Sequence, residues 1–227
     1  MASSDFKKNQ ELLKLAAIAL GPMLDRIAFV GGATTILYLT DRIRDVRATL
    51  DVDVILEVTR TEFHEAEEDL RRLGFQPDPR VICRHRKGDL IIDFMPTDGR
   101  ILGFSSRWYS DALHNARPEK VAGVEIKVLS FPYFVATKLE AFNGRGHDDY
   151  YGSKDIEDLV TVFAGRAAFL RELRAIRGEL GEFIRSEFAR HLEDAGFMAA
   201  VDGHMPRDSR TSPRQIITDL RDLALRT

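Results

Sequence analysis

The chain is poor in cysteine: Cys83 stands alone among 227 residues. No disulfide can form within it, and a cysteine-built zinc cluster is excluded. Long apolar runs are also missing. The best stretch, residues 12–20, is interrupted by Lys14 and falls short of the roughly 18 residues that a membrane span needs. It lacks the layout of a signal peptide, so the expectation is a cytoplasmic protein with no membrane partner. A strong charge of one sign is absent: the net value of -3 rules out a surface coated in basic groups, but not a local basic patch for nucleic acid. The six histidines have no metal-ligand spacing, and there is no internal repeat or low-complexity tract. What is there is an ordinary globular balance, 44% hydrophobic and 30% charged, in a chain long enough to bury a core. Disorder, collagen and coiled coil are thereby excluded as overall classes.

The pattern of apolar residues changes character along the chain. Residues 6–26 have helical spacing, with a break or kink at Gly21-Pro22. An apolar strand at 27–30 ends at Gly31-Gly32, and residues 33–44 read as a helix. A β-branched strand follows at 52–57. Thr59 and Glu62 form a capping box for a helix that stops at Gly74-Phe75 in Schellman fashion. Residues 81–86 and 90–95, joined by Lys87-Gly88-Asp89, read as a β-hairpin, and 124–129 as a further strand. After Ser130 every pattern is helical: 131–142, 156–163, 167–177, 183–195 and 213–225, with a glycine-rich loop at 143–152. The fold class expected is α+β. A mixed sheet with flanking helices spans residues 1–129, and a helical domain at 130–227 completes a cleft.

Three carboxylates stand out. Asp51 and Asp53 are two residues apart at a strand, so they project side by side while Val52, Val54 and Leu56 turn inward. Adjacent carboxylates repel unless a cation sits between them, and magnesium favours oxygen ligands. A solvated strand face is the plainer alternative. Asp93 lies in the otherwise apolar strand 90–95, where a charge without a partner is costly. Either the two aspartates share a cation with it, or Arg84 or Arg86 pairs with it across the hairpin. Gly31-Gly32 before a helix can hold phosphate oxygens on the first amides, or can be a simple tight turn.

In this order the motifs resemble the nucleotidyltransferase superfamily, whose fold is that of DNA polymerase β. FVGGATTILYL followed by RATLDVDVIL carries the resemblance, with Asp51, Asp53 and Asp93 matching the family's three acidic residues. The stretch from Gly32 to Asp51 is longer than in compact members. VATKLEAFNGRG and SKDIEDLVTVF resemble AbiEii-type toxin nucleotidyltransferases, which include the MenT toxins. Lys138 matches their helical lysine, and Asp155, or Asp158 one turn on, their aspartate.

The resemblance implies an enzyme that moves a nucleotide from an NTP to an acceptor hydroxyl. The NTP would lie near Gly31 and Gly32, with Mg2+ or Mn2+ on Asp51, Asp53 and Asp93. Asp93 could alternatively be the base for the acceptor hydroxyl. Lys138 would hold phosphates, and Asp155 or Asp158 would position Lys138 or the nucleotide. It implies RNA as acceptor, with the tRNA 3′ end the first candidate, and an antitoxin protein as partner. Arg84, Arg86 and Lys87, placed on the hairpin turn, and Arg145, in the glycine-rich loop, are the expected acceptor contacts. From the residues alone Lys138 can equally snorkel to solvent, and Asp155 can simply stabilise a helix N-terminus. Two alternatives stay open: a small-molecule transferase of the antibiotic-modifying type, and a non-catalytic nucleotide-binding protein of the same fold.

Overall fold

The computed structural model describes residues 4–145 and 149–225. They fall into two compact units. The first comprises Lys7–Thr34 and Ala48–Ser130; the second takes the residues up to Phe6, Thr35–Arg47 and the chain from Phe131 on.

Most of helix α1 (Ser4–Ala19) belongs to the first unit, whose centre is a seven-stranded mixed sheet. Its strands are β1 (Ile27–Val30), β2 (Val52–Leu56), β3 (Gln76–Pro77), β4 (Arg84–Lys87), β5 (Leu90–Pro96), β6 (Arg117–Val121) and β7 (Val124–Val128), in the order β3-β4-β5-β2-β1-β7-β6. β2 runs antiparallel to β1 but parallel to β5. Val52, Val54, Leu56, Ile92 and Phe94 are fully buried, which is why this part of the sheet reads as near-continuous apolar sequence. Helices α2 (Arg60–Arg72), α3 (Gly99–Leu102) and α4 (Tyr109–His114) complete the unit. The start of α2 has both bonds of the expected capping box. At its end the Phe75 amide donates to the Leu70 carbonyl and the Gly74 amide to that of Arg71, a Schellman closure with Gly74 at φ +90°.

The second unit contains α5 (Phe131–Arg145), α6 (Lys154–Gly165), α7 (Phe169–Ala175), α8 (Gly178–His191), α9 (Ala195–Gly203) and α10 (Pro213–Ala224). Apolar faces supply its core: Phe134, Val135, Leu139 and Phe142 from α5, Ile156, Leu159 and Phe163 from α6, Phe188 from α8.

Several sequence expectations need correction. Of the break or kink expected at Gly21-Pro22 the structure has the break: α1 ends at Ala19 and a separate 3-10 turn starts at Gly21, so residues 20–26 are not part of the helix. Residues 33–44 do not form an α-helix. A 3-10 turn at Gly32–Leu37 gives way to irregular chain. Consecutive β-branched residues, Thr34, Thr35 and Ile36, disfavour the helix. Beyond them the amides of Thr40 and Asp41 donate to the Gly165 carbonyl at the end of α6 rather than to their own turn. The same bonds tie Thr35–Arg47 to the helical unit, although composition placed it within the first 129 residues. The loop expected at 143–152 starts later, because α5 continues to Arg145. Asn143 is held there by Glu187 and Arg190 of α8, at 2.9 and 2.6 Å. Residues 146–148 of that loop lie outside the described residues. Strand β6 and helices α3, α4 and α9 had no clear periodic signal.

Thr59 accepts from the Glu62 amide while Glu62 reaches back to the Thr59 amide. Replacing Thr59 by alanine should lower unfolding stability by about 1 kcal/mol, the ordinary value of an N-cap, in urea denaturation followed by circular dichroism.

Candidate active site

The sheet unit aligns the three expected carboxylates. Parallel pairing sets Asp53 of β2 beside Asp93 of β5, and antiparallel pairing sets Arg84 of β4 beside Asp93. Asp51 lies one residue before β2, its carboxylate accepting from the Thr49 hydroxyl at 3.2 Å. The Thr49 amide is in turn held by the Asn9 side chain of α1.

Arg84 dominates the electrostatics of this cluster. Its Nε and Nη2 each donate to one oxygen of Asp93 at 2.8 Å, and Nη2 also donates to Asp51 at 2.6 Å. This is the fork geometry that makes arginine–carboxylate pairs strong. The hydrogen bond to Asp93, with the nearby charge of Asp51, raises the guanidinium's already high pKa further. The expectation that Arg84 belongs to the hairpin turn is therefore corrected. The turn is two residues, Gly88 and Asp89, and Arg84 sits at the far end of its strand.

Gly31 takes φ +73°, and a Cβ there would collide with the Asp53 carboxylate. The first glycine is thus required for Asp53 to pack over the end of β1, opposite Val30. The argument for phosphate binding at a helix N-terminus does not hold here, because only the short 3-10 turn follows Gly32. Cys83, buried beside this cluster, has its thiol pushed up to about 11 by burial and by Asp93 and Asp53. It is a core residue, not a nucleophile.

Three carboxylates suit a divalent cation in their donor chemistry. As placed, however, they do not fit one. Arg84 takes both oxygens of Asp93 and one of Asp51, and among the described residues no three His, Cys, Asp or Glu side chains converge to hold a metal.

The helical unit gathers a second set. Lys138 of α5 is only 5% exposed, so it does not snorkel; its Nζ donates to Asp155 at 3.0 Å and to Asp158 at 2.5 Å, both on α6. Asp158 also receives a fork from Arg47, at 2.8 and 2.7 Å. Asp155 receives one from Arg145, at 3.1 Å for both bonds. Arg145 therefore lies on α5 as a counterion of Asp155, with most of its side chain exposed. Ser153 caps α6, its side chain accepting from the Ile156 amide. Asp155 and Asp158 both touch Lys138, so the lysine's aspartate partner is a pair rather than one residue.

Burial alone would push the Asp155 carboxyl up, but Lys138 and Arg145 outweigh it and hold it below the ordinary carboxylate value. Burial likewise works against the charge of Lys138, and Asp158 and Asp155 overcome it, so its pKa is raised. For Glu157, 3.9 Å from Arg47, burial prevails and the pKa is raised. No local signal in the sequence connects Arg47 to an aspartate 111 residues away.

The remaining hairpin cations have partners of their own: Arg86 bonds Asp78 at 2.6 Å, and Lys87 lies 5.7 Å from the Phe75 ring centre. A surface cavity of ≈ 480 Å³ in the helical unit, lined in part by Thr40, Arg42, Asp208 and Arg210, contains none of the expected site residues.

No family model and no curated protein matches the chain. Solved structures similar to it include the crystal structure of an antigenic nucleotidyltransferase-like protein from Paracoccidioides brasiliensis. That likeness has a TM-score of 0.55 at 16% identity, over 90% of this chain and 95% of that one. The solution structure of the antibiotic-resistance factor ANT(2'')-Ia matches with a TM-score of 0.49 at 16% identity, over 82% of this chain and 94% of that one. The chain accordingly has a nucleotidyltransferase-like α+β fold, with a mixed sheet and a helical second half. No helix among the described residues is long and apolar enough to cross a membrane.

Removing Lys138 would take one of two cations from each of two buried carboxylates, leaving Asp158 its fork from Arg47 and Asp155 its fork from Arg145. Lys138→Met should therefore cost up to about 3 kcal/mol in urea denaturation, the lower end of the range for breaking a buried ion pair from one side. The nearly unchanged melting temperature that a snorkelling lysine would give is not expected. The depressed pKa of Asp155 adds stability that is present above its unfolded value of about 3.9 and lost as pH falls through the lower folded value. Asp155→Asn should therefore unfold with a flatter dependence on pH than the wild type from pH 5 downward.

Proposed function

We propose that this chain is a nucleotidyltransferase that moves a nucleotidyl group from an NTP to an acceptor hydroxyl. One observation carries the reading: Asp53 and Asp93 lie in register on adjacent parallel strands, with Asp51 joined to Asp93 through Arg84, in a chain whose fold is nucleotidyltransferase-like. The acceptor oxygen forms a bond to the α-phosphorus, the bond from that phosphorus to pyrophosphate breaks, and the acceptor's proton leaves to a base. Carboxylates are suitable bases when within reach of the hydroxyl. Asp53, beside Asp93 on the neighbouring parallel strand, is our choice. Gly31 serves by leaving room for Asp53.

Lys138, held at fixed geometry by Asp155 and Asp158, is a preorganised positive charge of the kind that stabilises phosphate oxygens. Arg47 shares Asp158 with Lys138, and so fixes the carboxylate that fixes the lysine. The exposed guanidinium of Arg145 is our candidate contact for the acceptor. We infer RNA as the acceptor class, the tRNA 3′ end in particular, and an antitoxin protein as partner. Their support is the likeness of residues 27–163 to AbiEii-type toxins.

The test incubates the protein with each labelled NTP, magnesium and total RNA, followed by a denaturing gel. A labelled tRNA band is expected, lost at least a hundredfold in Asp53→Asn with circular dichroism unchanged. Label on a small hydroxyl compound instead of RNA would replace the acceptor. No transfer from any NTP to RNA or to small hydroxyl compounds would leave a non-catalytic protein of this fold.

A further inference from the structure

The cavity of ≈ 480 Å³ in the helical unit is built by two irregular segments, the chain after the 3-10 turn and the loop before α10, which meet at the last turn of α6. Neither segment has a helix or strand to hold it, and each is fixed from outside. The Thr40 and Asp41 amides donate to the Gly165 carbonyl at 2.9 and 3.0 Å. The Asp208 carboxylate accepts from the Arg44 amide at 2.6 Å and from that of Asp45 at 3.3 Å, while the Asp45 carboxylate accepts from the Arg207 amide at 2.9 Å. Ile43 and Ala164, both buried, give the cavity an apolar lining.

Those bonds use up the acids that could have neutralised the neighbouring arginines. Asp45 and Asp208 are turned to backbone amides, and the Arg42 and Arg210 side chains on the cavity wall have no hydrogen bond or ion pair among the described residues. Asp41 accepts only from the Thr40 hydroxyl, at a long 3.4 Å. The cavity therefore offers two guanidiniums on fixed backbone and one carboxylate with oxygens to spare. Two forked donors match a dianion, and a phosphomonoester carries close to two charges at neutral pH. A carboxylate beside them accepts from hydroxyl groups. We propose that this cavity binds a small phosphorylated sugar, the phosphate on Arg42 and Arg210 and the sugar hydroxyls on Asp41. The volume falls in the range of about 300–1,000 Å³ usual for small-ligand pockets. Asp41 would repel a bare inorganic anion, and the single charge of a phosphodiester leaves one of the two guanidiniums unanswered. The site is separate from the Lys138 cluster, whose Asp155 and Asp158 lie near the start of α6 while the cavity adjoins its end. It does not rest on the transferase reading.

The experiment is isothermal titration calorimetry of ribose 5-phosphate into the full chain at physiological ionic strength. A dissociation constant of about 1 mM or tighter is expected, and no binding at about ten times that concentration overturns the site. Ribose and inorganic phosphate, titrated separately into the wild type, should each bind at least tenfold more weakly. Ribose binding as well as its phosphate overturns the arginine contact, and inorganic phosphate binding as well overturns the sugar contact. The dinucleotide uridylyl-(3′,5′)-uridine, a phosphodiester, should bind at least severalfold more weakly than ribose 5-phosphate; equal binding makes the site one for nucleic acid and overturns the sugar-phosphate assignment. These comparisons need no variant, so they decide the matter even where a substitution disturbs folding. Arg42→Gln and Arg210→Gln should each weaken ribose 5-phosphate at least tenfold with circular dichroism unchanged. Arg171→Gln, exposed on α7 and outside the cavity, should bind like the wild type. An equal loss there shows general charge attraction and overturns the site. Asp41→Asn should weaken ribose 5-phosphate severalfold while leaving inorganic phosphate as tight or tighter, and a parallel loss for both overturns the role of Asp41.

Discussion

The parallel ladder between β2 and β5 is the constraint on which the acidic cluster depends. It aligns Val52 with Ile92, Asp53 with Asp93 and Val54 with Phe94. The apolar members of these pairs are fully buried, so a slip of one residue would drive Asp53 or Asp93 into the core and expel a valine or phenylalanine. Hydrophobic burial thus pins the register, and the register brings the carboxylates together. No attraction between them is needed, and by themselves they would repel.

That repulsion has to be answered by positive charge, and each unit answers it locally. In the sheet unit a single guanidinium spans Asp51 and Asp93. In the helical unit Lys138, Arg47 and Arg145 surround Asp155 and Asp158. Such buried pairs contribute little net stability compared with an apolar core, because desolvation consumes most of the Coulomb gain. Their cost when one partner is lost is much larger. Charges arranged this way hold one geometry, which a core built for stability alone does not require.

The hairpin shows how a local detail settles the partner of a distant group. Alternation along β4 places Arg84 and Arg86 on one face, so both were candidates for Asp93. A three-residue connection at Lys87-Gly88-Asp89 would have set Cys83 opposite Asp93. The actual two-residue turn pairs Lys87 with Leu90 and therefore Arg84 with Asp93 and Arg86 with Ile91. Gly88, at φ +58°, permits that tighter turn.

Sequence alone determined the features that arise within a few residues. The two-residue alternation of strands, the capping box at Thr59 and Glu62, the stop at Gly74 and the cap at Ser153 are local steric and hydrogen-bonding preferences, and each is present. The burial of Val52, Val54 and Leu56 was legible for the same reason. The tertiary structure decided the rest. It turned residues 33–44 from an expected helix into a 3-10 turn followed by irregular chain, in which the amides of Thr40 and Asp41 donate to Gly165. It also buried Lys138 between two aspartates and joined Arg47 to Asp158. Above all it set Arg84 between Asp51 and Asp93. Those outcomes depend on which strand or helix lies alongside, and long-range packing, rather than the preference of any short segment, makes that choice.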